Sequence, residues 1–240
     1  MKIAKWSYEV LGGPLEPIYV YGAGVRVWHW AQAFLFFLLV ITGFLIGWPP
    51  PAVYGDTWDT YFFGYIIGVH IFCGVTFSVL FVYRCFLAII GNKYSRMIFV
   101  VPFWDWQWWS GMFRQIAYYL FLRPKAPEFV GHNPLAQAAM CAMYVLGSAG
   151  IILTGMALYA QQWGWDTSWM VLFGWVTDLL GGAQSVRTAH HLLMYYLLMF
   201  CCAHLYMSFR EDIMGGATQL STMTNGVRFF KEPVNGEAHR

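Results

Sequence analysis

Four histidines lie inside long apolar stretches of this chain, where ionisable side chains are uncommon: His29, His70, His190 and His204. An ionisable ring in hydrocarbon costs free energy, so such a residue needs a partner or a function. Neutral imidazole is the commonest metal ligand among protein side chains. A single histidine of this kind is equally well explained by a hydrogen bond to a neighbouring helix, so the arrangement of the four has to distinguish the two interpretations.

Holding these rings in place requires elements that cross a membrane. Only 11% of the 240 residues are charged and 59% are hydrophobic, whereas a soluble domain carries about 25% charged residues. A helix of about 20 residues crosses roughly 30 Å of hydrocarbon. We predict an all-α membrane protein, a four-helix bundle in one domain that covers 1–240, with spans I to IV at 26–48, 62–90, 134–160 and 187–209.

Two further segments are rich in aromatic residues but are too polar to cross the membrane. Polar and charged residues interrupt both 98–122 and 163–180, a composition typical of amphipathic helices at the membrane interface. Span I is expected to end at the three prolines of 49–51, which cannot continue a helix. Span III is expected to begin at Asn133 and Pro134, a cap followed by proline at the first helical position.

The distribution of basic residues predicts the orientation of the spans. Cytoplasmic loops of membrane proteins carry an excess of Lys and Arg. Of the 14 basic residues, all but Arg187 lie in the two terminal regions or within 84–133, and the connections that follow spans I and III have none. We therefore predict a multi-pass protein with both termini in the cytoplasm, an N-terminal arm at 1–25 and a C-terminal tail at 210–240.

Depth in the membrane sorts the histidines into two pairs. In this orientation His29 and His204 lie near the inner ends of spans I and IV, whereas His70 and His190 lie in the outer halves of spans II and IV. Fourteen helical residues rise about 21 Å and return to within about 40° of the starting direction, so His190 and His204 share one face. His191 would miss that face by about 140°. We predict two stacked b-type haems, bound non-covalently, each held by two imidazoles.

Three other residues fit this layout. Gly43 follows His29 by 14 residues, on the same face but at the outer depth, where a missing side chain would let a flat macrocycle approach the backbone. Arg26 and Arg187 each precede a predicted ligand by three residues and share its helix face. Their guanidinium groups are predicted to pair with haem propionates, although simple extension toward the membrane surface would place them equally well.

Other chemistries fit the sequence less well. A compact zinc or copper site needs ligands that converge on one point, whereas these histidines lie at opposite ends of the bilayer. The five cysteines form neither a C-x-x-C pair nor a C-x-x-C-H site for covalent haem attachment, which disfavours a disulfide framework or an iron–sulfur cluster on this chain. A net charge of only +2 gives no reason to expect nucleic acid as a partner.

Six short motifs occur along the chain: VRVWHW at 25–30, GHNPLAQ at 131–137, RTAH at 187–190, HLY at 204–206, REDIM at 210–214 and STMTNG at 221–226. Together they resemble the cytochrome b subunit of membrane-bound nickel–iron uptake hydrogenases, over nearly the whole length. The first motif is shared with related dihaem cytochromes of formate dehydrogenases and other oxidoreductases. The motifs at 131–137 and 210–214 are more specific to hydrogenases.

This resemblance implies the same four ligands that depth selects, with an ambiguity between His190 and His191. It implies two partners, a large subunit with the nickel–iron centre and a small subunit with iron–sulfur clusters. The chain would have no catalytic residue of its own and would not activate hydrogen. Surrounded by lipid in the bacterial cytoplasmic (inner) membrane, it would pass electrons from the periplasmic clusters through both haems to quinone.

A quinone site is expected near the inner end of span III, where Asn133 and Gln137 share a face and could bind a quinone carbonyl, with His132 relaying a proton. A helix cap at Asn133 and a packing role for Gln137 explain the two amides equally well. Two other functions stay open for the chain, a dihaem anchor of a different dehydrogenase or reductase and a haem-free membrane scaffold or transporter.

Overall fold

The computed structural model describes residues 9–10, 13–14, 16–51, 61–124, 127, 129–164, 166–215 and 218–230. Their helices are α1 (Ala23–Gly47), α2 (Phe62–Ile90), α3 (Lys93–Arg96), α4 (Trp106–Tyr119), α5 (Pro134–Ala139), α6 (Leu146–Trp163), α7 (Ser168–Leu180) and α8 (Ala183–Gly215). A π-helical turn, Met140–Val145, joins α5 to α6. Within the described part, four helical runs are long and apolar enough to cross a membrane: α1, α2, α5 through α6, and α8. The prediction of four membrane-spanning helices is confirmed.

The helix ends follow the local sequence. Asn133 caps α5, since its side chain accepts a hydrogen bond from the Ala136 amide at 2.7 Å and Pro134 follows directly. At the other end of the chain, α8 begins at Ala183, four residues before the expected start of span IV. Gly181 adopts a left-handed conformation (φ 81°) that ends α7, a role glycine fills without steric cost, and α8 follows immediately.

The two segments predicted to be amphipathic both contain a helix. Asp105 caps α4 by accepting from the Gln107 amide at 2.8 Å. The buried residues of α4 recur at helical spacing along one stripe: Trp108, Gly111, Gln115 and Tyr118. The helix α7 is short and apolar and is capped by Thr167. The position of both helices at a membrane interface stays a prediction.

Two small antiparallel sheets were not predicted. The first pairs β1 (Glu9–Val10) with β2 (Gly13–Pro14), and the second pairs β3 (Glu16–Tyr19) with β4 (Val227–Phe230). The expected N-terminal arm and C-terminal tail therefore meet, with Tyr19 opposite Val227. Gly226, at φ 86°, turns the chain into β4, and α8 continues past the expected end of span IV to Gly215.

The chain divides into two compact units. Unit A comprises Met1–Arg26, Leu87–Val145 and Met199–Arg240, and unit B comprises Val27–Phe86 and Leu146–Leu198. The core of unit B includes a cluster around Leu35, Cys73 and Phe77 and a second around Ala157, Val176 and Val186. In unit A, the Arg228 guanidinium donates to the Phe129 carbonyl at 2.7 Å, which fastens β4 to the segment that precedes α5.

Candidate haem site

Two of the predicted ligands face each other inside unit B. The ring centres of His70 on α2 and His190 on α8 are 6.4 Å apart, and their planes are inclined by 73°. A ring nitrogen lies roughly 1.2 Å from the ring centre and binds a metal at about 2.0 Å, so two imidazoles on opposite sides of one metal have centres about 6.4 Å apart. The observed separation fits one metal between the two rings.

Each of these rings contacts a threonine that belongs to another helix. Thr42 on α1 lies with Oγ1 2.8 Å from Nδ1 of His70. Thr154 on α6 lies with Oγ1 2.9 Å from Nδ1 of His190. Both contacts involve Nδ1, so Nε2 of each ring stays available to bind a metal.

A glycine follows each threonine and lies against the same ring. A Cβ atom added at Gly43 would lie 3.5 Å from Cε1 of His70, and one added at Gly155 would lie 3.1 Å from Cε1 of His190. The second distance is shorter than an ordinary carbon–carbon contact. The missing side chain at Gly155 therefore makes room for the imidazole.

The pair opens on a cavity of about 440 Å³, within the range typical of small-molecule sites. Its walls are mainly apolar side chains of α1, α2, α6 and α8. They also include Gly43, Gly155, Arg187 and both histidines. An apolar cavity with two opposed imidazoles and one cation on its wall matches the chemistry of a haem, which has a flat apolar macrocycle, an iron and anionic propionates. The residues fit that group.

His191 is placed differently from its neighbour. Its Nδ1 donates to the Arg187 carbonyl one turn earlier on α8, at 3.0 Å. Its Nε2 points toward Gly47, 3.2 Å from where a Cβ atom would stand. Although His191 also lines the cavity, the ring opposite His70 belongs to His190.

The other predicted pair is divided between the two units, with His29 in unit B and His204 in unit A. The ring of His29 packs edge-on against Trp30, with centres 5.1 Å apart. The ring of His204 stacks on Phe200 at 5.6 Å. A second haem between His29 and His204 stays a prediction.

The two arginines predicted to bind propionates have different surroundings. Arg187 is exposed on the wall of the cavity, one turn from His190. Arg26, in unit A, donates from its guanidinium to the backbone carbonyl of Thr224. Both propionate roles stay predictions.

The amides proposed for a quinone are engaged within unit A. Gln137 is buried, accepts from the indole of Trp108 at 2.8 Å and donates to the carbonyls of Met97 and Val100 at 2.8 and 2.9 Å. Asn133 serves as the cap of α5. His132 lies with Nδ1 3.1 Å from the hydroxyl of Tyr21. A quinone at Gln137 would have to displace one of its internal bonds.

Sequence reasoning missed two polar residues beside the rings of His70 and His190, and one buried cation elsewhere in unit B. Thr42 and Thr154 are the clearest, and the signal that marks them is the Thr-Gly dipeptide that occurs in both span I and span III. Arg84 is a further case. It belongs to the basic group within 84–133, yet it is only 2% exposed and its guanidinium lies 5.2 Å above the ring of Trp28. A cation inside a predicted span is itself a signal of function.

Comparison with known proteins places the chain in a family. Residues 20–226 match the family described as prokaryotic cytochrome b561. A protein of Azotobacter vinelandii named "Probable Ni/Fe-hydrogenase B-type cytochrome subunit" is 40% identical over 215 residues, covering 90% of each chain. The protein of the same name from Cupriavidus necator is 39% identical over 224 residues, covering 92% of this chain and 91% of its own.

A third relative, the "Probable Ni/Fe-hydrogenase 1 B-type cytochrome subunit" of Escherichia coli (strain K12), is 39% identical over 217 residues, which cover 89% of this chain and 91% of that protein. The stretch matched by the family, residues 20–226, contains the positions of His70 and His190. The chain therefore belongs to the prokaryotic cytochrome b561 family of helical, haem-binding membrane proteins.

Proposed function

We propose that this chain is the membrane cytochrome subunit of a nickel–iron hydrogenase and carries electrons from its partner's iron–sulfur clusters to the quinone pool. The observation that carries the proposal is the opposed pair of His70 and His190 beside an apolar cavity. The names of relatives that align over about 90% of the chain support the hydrogenase partner. Hydrogen itself would be activated in the large subunit.

The residues of unit B would bind and orient a b haem. His70 and His190 would hold the iron through Nε2, and the apolar walls would exclude water from the macrocycle. Arg187, on the cavity wall, would pair with a propionate. When bound, the haem supplies reversible one-electron chemistry, with a potential set by its axial ligands, hydrogen bonds and burial.

A second b haem would be held by His29 and His204. Since α8 is continuous from Ala183 to Gly215, His190 and His204 lie 14 residues apart on one helix, which corresponds to a rise of about 21 Å. The two sites would thus stand at different depths, and Arg26 would serve the inner one as Arg187 serves the outer.

The direction of transfer follows from the proposed orientation. With both termini in the cytoplasm, His70 and His190 face the periplasmic clusters, and the inner haem faces a quinone site on the cytoplasmic side. Moving one charge across 100 mV requires about 2.3 kcal/mol, so quinone reduction has to be downhill by more than that work. The proposed location is the bacterial inner membrane.

The test is the composition of the intact complex purified from its native membranes. We expect two haems b per copy of this chain, a reduced-minus-oxidised spectrum with a b-type α-band, and nickel that co-purifies. Absence of the α-band would refute any cytochrome function and leave a membrane scaffold or transporter. A normal band without nickel would assign the chain to a different dehydrogenase or reductase.

A further inference from the structure

The opposed histidines of unit B rest on two matching Thr-Gly dipeptides. Thr42-Gly43 of α1 lies against the ring of His70, and Thr154-Gly155 of α6 lies against the ring of His190. In both cases the threonine approaches Nδ1 and the glycine lies against Cε1. Two helices thus use the same pair of residue types to hold two rings that belong to two other helices.

The hydrogen bonds of each threonine indicate which atom is the donor. The hydroxyl of Thr42 lies 2.7 Å from the Leu38 carbonyl, and that of Thr154 lies 2.9 Å from the Gly150 carbonyl. A carbonyl can only accept, so the single hydroxyl proton of each threonine is directed to it. In this arrangement the hydroxyl oxygen accepts from the imidazole, which corresponds to the tautomer of each ring with its proton on Nδ1.

A ring protonated on Nδ1 carries its lone pair on Nε2, the atom that has to meet the metal. The bond to threonine also restricts rotation of the ring about its bond to Cβ. The glycine leaves room for the ring on its Cε1 side, where a Cβ atom would stand 3.5 Å from His70 and 3.1 Å from His190. The bond to threonine therefore favours one tautomer and one ring plane before any metal binds.

We propose that Thr42 and Thr154 are positioning residues of the outer haem site. Each holds its histidine in the tautomer that presents Nε2 and, by accepting from Nδ1, makes the ring a more basic ligand. Partners of this kind orient a ligating histidine and tune the metal, and their loss typically weakens metal binding about 10- to 100-fold. The inference rests on the proposed function, since it assumes that haem binds to these two rings.

The test compares single variants of the intact complex. Thr42→Val and Thr154→Val keep the shape and remove the acceptor, whereas Thr42→Ser and Thr154→Ser keep the hydroxyl. Thr76→Val is the matched control, because the hydroxyl of Thr76, a half-buried residue of α2, makes the same bond to a carbonyl four residues earlier, that of Phe72 at 2.8 Å. The readouts are haem per chain, the midpoint potentials of both haems and the electron paramagnetic resonance spectrum of the oxidised complex.

We expect each valine variant to retain less of the outer haem, with affinity lowered about 10- to 100-fold. The haem that remains should have a raised midpoint potential and an altered resonance spectrum, because a less basic ligand stabilises the oxidised iron less. The inner haem should be unchanged. The serine variants and Thr76→Val should behave like the wild type.

Two results would overturn the proposal. One is that the valine variants match Thr76→Val in haem content, potential and spectrum. The other is that the serine variants shift as far as the valine variants, because the threonines would then act by packing and not by hydrogen bonding. If the valine variants fail to accumulate, the serine pair and Thr42→Ala carry the same comparison. Failure of the proposed function is seen separately, as a wild-type complex without a b-type α-band.

Discussion

The imidazole of His190 faces that of His70, whereas the imidazole of the adjacent His191 bonds to its own helix. One ring lies 6.4 Å from His70 and is held by Thr154. The other donates to its own helix through the Arg187 carbonyl. Adjacent residues of a helix differ in direction by about 100°, so the two rings cannot exchange places without rotating α8.

This difference predicts opposite outcomes for two neighbouring substitutions. We expect His190→Ala to lower the haem content of the purified complex from two per chain to one, because one side of the outer iron would lose its ligand. His191→Ala should keep both haems. The measurement is the ratio of haem to protein after alkaline pyridine extraction. Loss of a haem from His191→Ala together with full retention in His190→Ala would contradict the assignment.

The residues that line this site divide into those that spacing predicts and those that it does not. His70, His190, Gly43 and Arg187 were expected from depth and helical repeat, and all four line one cavity. Thr42 and Thr154 were not expected. Threonine in a span commonly bonds its own helix carbonyl, and only the distance between two helices determines whether a histidine also reaches its hydroxyl.

Gln137 links α5 to neighbouring segments of unit A through side-chain hydrogen bonds. Its amide joins Trp108 of α4 to the carbonyls of Met97 and Val100. We expect Gln137→Leu to lower the thermal stability of the purified complex, because each polar group left buried without a partner costs about 1–3 kcal/mol. The exposed Gln107 offers a control, since Gln107→Leu should change stability little.

The same variant tests the quinone site expected at this helix end. If Gln137 only braces α4, the KM for quinone should stay unchanged in whatever fraction of Gln137→Leu remains folded. The losses of stability caused by Gln137→Leu and Trp108→Phe should also be non-additive, because the two side chains share one hydrogen bond. A raised KM with unchanged stability would instead place a quinone on this amide.

Tyr119 of α4 lies near Glu211 at the end of α8, and this proximity predicts that the stability of the protein depends on pH. Burial, together with the nearby negative charge of Glu211, raises the pKa of Tyr119 to about 12. In the unfolded chain this phenol ionises near its ordinary pKa of about 10, so the folded state holds its proton over a range in which the unfolded state does not. Stability contributed by Tyr119 is therefore present below pH 10 and is lost as the pH rises toward 12.

Tyr119→Phe should remove this component. We expect the wild-type complex to lose thermal stability more steeply between pH 10 and 12 than the variant, measured as the unfolding temperature across a pH series. Tyr206→Phe, at an exposed position of α8, serves as the control and should follow the wild type. Parallel curves for wild type and Tyr119→Phe would show that this phenol is not the group responsible.

Helices were easier to predict than the small sheets for a physical reason. Apolar length and proline or asparagine at the ends specify a spanning helix locally, and the four observed runs begin and end within a few residues of the predicted ones, except that α8 extends about four residues further at its start and six at its end. The pairing of β3 with β4 joins residues about 210 positions apart. No local pattern in a polar arm or tail encodes such a partner.

For the whole molecule, the four long apolar helices and the family match establish a multi-pass membrane protein of the cytochrome b561 family. The orientation rests on charge. Arg187 stands apart from the other basic residues and lies on the wall of the cavity in unit B. Pairing with a propionate of the proposed outer haem would explain why a basic residue lies on the outer side, where the charge rule does not expect one.

If the chain only transfers electrons, loss of a haem should affect two activities of the intact complex differently. Artificial dyes can take electrons directly from exposed clusters of a hydrogenase, whereas quinone would receive them only through the haems of this chain. We therefore expect His70→Ala and His190→Ala to abolish hydrogen-dependent quinone reduction and to leave hydrogen-dependent dye reduction unchanged, with Thr76→Val retaining both. Equal loss of the two activities in the histidine variants would mean that the chain is needed for the assembly or the chemistry of its partner, and that electron transfer is not its separable function.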